Sequence, residues 1–284
     1  MEKIGLVLDS TVYLEQAMLD KPHVKVVSLH VLEGENSYKE TEITPEFVIE
    51  QIDKGRKVST AQPSPEAFKK AYEDLFSEGY DKVAAIVISS GLSGTYQSAC
   101  LAKDLLDARS EDVHVFDTLN AGFGNELIAE QALEKIEAGV DFNTLIDAID
   151  TIASKCGLFF TVENLFHLQR GGRLSRRNAL IGTVLRIKPI IRLNEKGELK
   201  PVHKERTVKK LIDYVVKTIK STVEDSAKLN IRIVHQRSEE QVQRLIDALQ
   251  KTFQDPNIKV TDYIGPVFAI HIGKKGYGIA WYQE

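Results

Sequence analysis

Val83-Ala84-Ala85-Ile86-Val87-Ile88 runs directly into Ser89-Ser90-Gly91-Leu92-Ser93-Gly94-Thr95-Tyr96-Gln97-Ser98-Ala99. Six consecutive apolar residues without alternation mark a strand buried on both faces, as in a parallel sheet covered by helices. The polar run that follows reads as a loop opening a helix over residues 94–108. The same alternation repeats outward. Residues 4–8 are predicted as a strand, 11–19 as a helix and 24–32 as a second strand region. Thr44-Pro45 and Ser64-Pro65-Glu66 each set a capping side chain before a proline, predicting helices over 45–54 and 65–76. Residues 113–116 predict a further strand, and a long helix begins near Gly124. This order predicts an α/β N-terminal domain: a parallel sheet between two helical layers.

The pattern changes after Ser154. Residues 158–162 and 189–193 read as strands, and the turn Asn194-Glu195-Lys196-Gly197 makes a hairpin with 199–203. Helices over 207–219 and 238–252 alternate with strands at 231–235 and 258–263, and 277–282 is a final strand. This predicts a second, mixed α/β domain. The expected division is residues 1–155 and 156–284, and 284 residues suit two domains at about 150 each.

Composition excludes several classes of function. A net charge of −4 disfavours a globally basic nucleic-acid binder. The two cysteines, Cys100 and Cys156, are far apart, which excludes a disulfide scaffold and fits a reducing compartment. The longest apolar runs are strand-sized, so no membrane span is expected, and no secretory signal is recognised, so the expected location is cytoplasmic. The seven histidines form no HxH, HExxH or i, i+4 pair, so no metal site is expected. Charge is nevertheless uneven. Residues 170–210 hold thirteen Lys and Arg against three Asp and Glu. That stretch is either a solvated face or a docking surface for a phosphate, an acidic partner or nucleic acid. It lacks interleaved aromatics, so single-strand stacking is disfavoured.

Ligands of open α/β sheets bind beyond the carboxyl ends of the strands. There the segment 89–99 offers hydroxyls and the free amides of a helix start, a cradle for a carboxylate or phosphate. Ser93 is placed at the cap position, and Gly94 lets a ligand approach the backbone; capping alone would also account for Ser93. Three other loops share this geometry: Asp9-Ser10-Thr11, Ser59-Thr60-Ala61-Gln62-Pro63-Ser64-Pro65, and Asp117-Thr118-Leu119-Asn120-Ala121-Gly122-Phe123-Gly124. Together they predict a composite polar rim. Gly122-Phe123-Gly124 begins like a dinucleotide fingerprint, but Leu127 stands where the third Gly belongs. His271 precedes the glycine-rich Gly273-Lys274-Lys275-Gly276-Tyr277-Gly278, which favours a position facing a cleft. An alternative reading is an acyl hydrolase with Ser93 as nucleophile and His271 as base. Thr95 replaces the last Gly of the GxSxG elbow, and an orienting acid would have to be Asp9 or Asp117.

These segments, with Val162-Glu163-Asn164-Leu165-Phe166-His167-Leu168-Gln169-Arg170-Gly171-Gly172-Arg173-Leu174, resemble the DegV family along the whole chain. The last segment is similar to the family's VxxLxxLxxGGR signature. Elsewhere Ala61 stands where a Ser is usual in the family, and Asn120 stands in a loop where the family often has Ser. The resemblance implies a two-domain α/β fold with a long-chain fatty acid between the domains, its tail in an apolar tunnel. It implies a carboxylate held by Thr60, Ser93 and His271, assisted by the backbone at Gly94 and Thr95. It implies no catalytic residue in this chain and no cofactor: a separate fatty-acid kinase phosphorylates the bound carboxylate with ATP, giving an acyl phosphate for phospholipid synthesis. Arg173 and Arg206 are then expected to face the phosphate or the kinase, with no nucleic-acid partner and no stable membrane insertion.

Overall fold

The computed structural model describes residues 2–163, 165–175 and 187–284. The first half runs β1 (Ile4–Asp9), α1 (Gln16–Leu19), β2 (Val24–Val27), β3 (His30–Glu33), β4 (Asn36–Lys39), α2 (Pro45–Asp53), β5 (Val58–Ala61), α3 (Pro65–Ser77), β6 (Lys82–Val87), α4 (Thr95–Asp104), β7 (Val113–Asp117), α5 (Phe123–Glu137) and α6 (Phe142–Lys155). The second runs β8 (Gly157–Val162), α7 (Phe166–Arg170), β9 (Lys188–Leu193), β10 (Leu199–Glu205), α8 (Val208–Thr222), β11 (Leu229–Gln236), α9 (Glu239–Thr252), β12 (Asn257–Thr261), α10 (Pro266–Ile272) and β13 (Gly276–Gln283).

Strands β2-β1-β6-β7 form a parallel sheet. One face carries Val7, Val83, Ala85 and Val87 against Phe68, Tyr72 and Leu75 of α3 and Ala99 and Ala102 of α4. The other carries Leu6, Leu8, Ala84 and Ile86 against α5 and α6. Burial on both faces is the physical reason for the unbroken run at 83–88. Helix α5 is itself enclosed. Leu127, Ile128, Ala132 and Leu133 share a core with the parallel sheet and with Ala280 and Tyr282 of β13. Its Glu126 and Glu130 meet Arg232 of β11, and Glu130 also meets Lys259 of β12.

The second sheet is mixed, in the order β10-β9-β8-β13-β11-β12. Its alternate residues Phe159, Ile231, Ile233, Ile279 and Trp281 lie under Leu211, Val215 and Ile219 of α8 and Val242, Leu245 and Leu249 of α9. The hairpin predicted at 194–197 is present.

Several expectations needed correction. Residues 11–14 are not helical: the Asp9 carboxylate takes both the Thr11 amide and its hydroxyl, and the chain turns before α1 starts at Gln16. The strand region at 24–32 is two strands in two sheets. Residues 24–27 pair with β1, whereas 30–33 pair with β4 and β5 in a small antiparallel sheet. Helix α4 ends at Asp104, and residues 107–112 form a 3-10 helix. Elements that went unforeseen include β4, α6, α7, β5 over the segment read as a loop, and α10 over 266–272. Val267, Ala269 and Ile270 of α10 pack with Leu29 and Val31 of the small sheet and Val48 of α2. An element late in the chain thus lies on a layer formed early in it.

Candidate functional site

A cavity opens where the carboxyl end of the parallel sheet, the six-stranded sheet and α10 meet. The cavity is narrow, with a volume of about 80 Å³. Its walls are mostly apolar: Leu29, Ile88, Leu158, Phe160, Leu193 and Phe268 are representative. The polar side chains on the wall include Thr60, Ser93, Arg173 and His271. Thr60, Arg173 and His271 also line an adjoining basin with Lys57, His167 and Arg170. Among the described residues, no Asp or Glu lines that basin.

Each polar group is positioned by a different element. Thr60 sits in β5, and its Oγ1 lies 3.1 Å from Nε2 of His271, in the last turn of α10. Pro266 at the first turn and the Glu40 carboxylate, which accepts the Val267 amide at 3.1 Å, anchor the far end of α10. Glu40 is buried and also accepts from Ser10 and Tyr13. Burial raises its pKa to about 7 against these hydrogen bonds. His271 is buried as well; desolvation, then the charge of Arg173 and His167, lowers its pKa to about 3. The ring is therefore neutral at pH 7 and carries one N–H. The Gly-Gly-Arg motif explains itself here. A Cβ on Gly171 would collide with Nδ1 of His271, and Gly172 adopts φ +75, which glycine tolerates best. The chain then turns Arg173 inward, where Nε donates to the Leu92 carbonyl at 3.1 Å and a terminal nitrogen to the Gly171 carbonyl at 2.7 Å.

Ser93 lines the cavity, but the helix cap is Gly94, not Ser93. Ser93 Oγ lies 2.8 Å from Thr95 Oγ1 and accepts the Thr95 amide at 3.3 Å. Gly94 and Thr95 are not among the residues lining the cavity. The close neighbour of Gly94 is Gln62, whose side chain an added Cβ would meet at 2.6 Å. Of the four loops expected at the rim, Asp9 is structural: it receives the Ile88 amide as well as Thr11 and ties β1 to the end of β6. Asp117 likewise accepts the Ser90 amide at 3.1 Å. Asn120 is buried and bonded to the Ala121 amide and the Cys156 carbonyl. Neither acid orients His271, whose Nδ1 has no partner, and Ser93 pairs with Thr95 rather than with the ring. A hydrolytic triad therefore has no geometric support.

Arg206 is not brought to this group. It lines a separate basin with Lys188, Lys275, Ser238 and Gln241. Of the expected basic stretch, Arg176, Arg177 and Arg186 fall outside the described residues, as does Asn164 of the signature segment. Residues missed from sequence include Tyr13, Leu29, Val267 and Phe268. Gly265-Pro266 followed by Val267-Phe268-Ala269-Ile270 was the available signal, a proline-started apolar turn just before His271. Among the described residues, no group of three His, Cys, Asp or Glu is placed to hold a metal ion, and no helix is long and apolar enough to cross a membrane.

The same architecture occurs in known proteins. A DegV domain-containing protein of Halalkalibacterium halodurans is 31% identical over 286 residues, covering 100% of both chains. Among solved structures, a DegV family protein from Thermus thermophilus, described for its fatty-acid binding, matches with TM-score 0.88 and 29% identity over 99% of this chain and 100% of that one. DegV from Bacillus subtilis, described as a fatty acid binding protein, matches with TM-score 0.86 and 28% identity over 100% of both chains. The family model described as an uncharacterised protein of the DegV family spans residues 3–284. With the glycine-arginine motif folded against His271 and the whole length matched, the chain belongs to the DegV family.

Proposed function

We propose that this chain binds a long-chain fatty acid in the apolar cavity and presents its carboxylate to a separate ATP-dependent kinase. The observation that carries the reading is the placement of Thr60, Ser93 and a neutral His271 on an apolar wall, beside a basin lined by cations. With its proton on Nε2, His271 donates to Thr60 Oγ1, which frees the Thr60 hydroxyl to donate to a carboxylate oxygen. With Thr95 as donor, Ser93 Oγ is satisfied and its own proton is free for the same ligand. Thr95 thus acts through Ser93. Two hydroxyl donors meet the need of a buried carboxylate, which is costly to leave unbonded. Burying about fifteen methylenes at ~0.8 kcal/mol each gives roughly 12 kcal/mol gross, reduced by the cost of association.

Phosphorylation of the held carboxylate would give an acyl phosphate, a precursor for phospholipid synthesis, and the chain itself would act as a carrier rather than an enzyme. Arg173 stands at the junction of cavity and basin, suited to the carboxylate before transfer and the phosphate after it. Arg206 is assigned with Arg173 to the side that faces the phosphate or the kinase. We place the domain boundary at 155/156, where the chain changes sheets, and the site of action in the cytoplasm. Native mass spectrometry of the purified protein tests the reading, with a one-to-one long-chain fatty acid expected. Ser93→Ala should weaken its retention and abolish phosphorylation by a fatty-acid kinase; unchanged turnover in that variant would sink the carboxylate assignment. Arg173→Ala should reduce turnover more than retention.

A further inference from the structure

The basin that holds Arg206 lies on the face of the six-stranded sheet opposite the apolar cavity. Strand alternation sets the sides. Phe159, Ile279 and Trp281 belong to the core beneath α8 and α9, whereas Leu158, Phe160 and Gly278 line the cavity. Thr161 and Tyr277, paired across β8 and β13, line both spaces and form the wall between them.

Three cations line this basin, Lys188, Arg206 and Lys275, against one carboxylate, Glu163. None of the three makes an ion pair among the described residues. Like charges gathered in a concave site raise the local potential and draw in an anion. The polar wall points the same way. Ser238 caps α9 by position only, because its hydroxyl donates to the Gln236 carbonyl instead of accepting a first-turn amide. The α9 N-terminus, at Ser238 and Gln241, therefore faces the basin without a side-chain cap. Tyr277, 8% exposed, lines the basin and carries a hydroxyl with no hydrogen-bond partner. A volume of about 470 Å³ exceeds what a single small ion fills.

We propose that this basin binds a phosphate-bearing ligand, either a soluble polyphosphate such as that of a nucleotide or the phosphodiester of a lipid head group. Lys188, Arg206 and Lys275 neutralise it and the α9 amides receive its oxygens. The site is separate from the apolar cavity and does not depend on what that cavity holds.

The test uses the full chain and two probes. Tripolyphosphate is titrated by calorimetry, and vesicles of phosphatidylglycerol are co-sedimented with the protein, with phosphate-free glycosyl-diacylglycerol vesicles as the control. Lys188→Gln combined with Lys275→Gln should weaken binding of the responding probe by at least about tenfold. Bound fatty acid, read by native mass spectrometry, should be unchanged, which also reports that the variant is folded. Binding of tripolyphosphate assigns a soluble polyphosphate. Binding of phosphatidylglycerol vesicles alone, lost in the variant, assigns a lipid phosphodiester. If neither probe binds the unsubstituted protein, or if the variant binds as tightly, the proposal fails.

Discussion

The two faces of the six-stranded sheet are made by the same strands and have opposite fates. On one, Ile231, Ile233, Ile279 and Trp281 are covered by α8 and α9, and the space is filled by Leu211, Val215, Ile219, Leu245 and Leu249. On the other, Leu158, Phe160 and Val234 line a cavity roofed by pieces from well-separated parts of the chain. Alternation along a strand makes both faces apolar, but it does not decide whether a face is filled. Two long amphipathic helices present matched ridges and close the gap. A loop, a hairpin and the short helix α10 meet at angles that leave room. An unfilled apolar face forgoes dispersion contacts, so the protein carries that loss where a ligand can recover it.

The largest effect should come from hollowing the filled face. Ile233→Ala is expected to cost about 2–5 kcal/mol, and Val234→Ala, one residue along on the hollow face, distinctly less. Denaturant unfolding of ligand-free protein measures both, and equal losses would erase the contrast. Next come the polar groups at the mouth. Thr60→Val and Ser93→Ala should each weaken fatty-acid binding by about 1.5–3 kcal/mol while leaving unfolding within about 1 kcal/mol. Thr161→Val, in the wall that the cavity shares with the second basin, should weaken binding less than either. Displacement of a fluorescent fatty acid reads these values, and a Thr161 effect as large as that at Thr60 would blur the two faces.

The smallest effect is a pH slope, because opposing groups contribute to it. His271 has a folded pKa lowered from 6.5 to about 3, so the unfolded chain binds more protons between those values. Its contribution is complete above pH 6.5 and is lost as pH falls toward 3. Glu40 and Glu126 are raised from 4.5 to about 7, chiefly by burial, so the folded state binds more protons in that window. Their contributions are complete below pH 4.5 and are lost as pH rises through 7. The two trends oppose between pH 4.5 and 6.5. His271→Gln should leave the carboxylates opposed only by His23, His114 and His167, which burial also lowers, so stability should fall more steeply with rising pH there. Denaturant midpoints that keep the original slope would remove His271 from this balance.

Some parts of the molecule were legible from local chemistry alone. Thr44 and Ser64 cap helices as read, because a cap needs only the next three residues. The run at 83–88 gives the expected strand, Lys82–Val87, because burial on both faces leaves its mark along the run. Thr60, Ser93, Arg173 and His271 were singled out through a resemblance carried by motifs, and the fold brings these four to one cavity. The role of Ser93 as helix cap was misread, since which residue closes a helix start depends on a single backbone angle. Helix α10 was invisible because a seven-residue apolar stretch shows no helical period until α2 and the small sheet support it.

Most strands and helices of the two sheets, the buried run at 83–88 and the loops that carry hydroxyls were determined by sequence alone, because each depends on spacing within about a dozen residues. Only the tertiary structure decided that α10 folds back onto the first-formed layers, that Thr60 meets His271 across 211 positions, and that Arg173 joins them while Arg206 does not. Those outcomes depend on which surfaces bury each other, a sum over many distant contacts that no local pattern records.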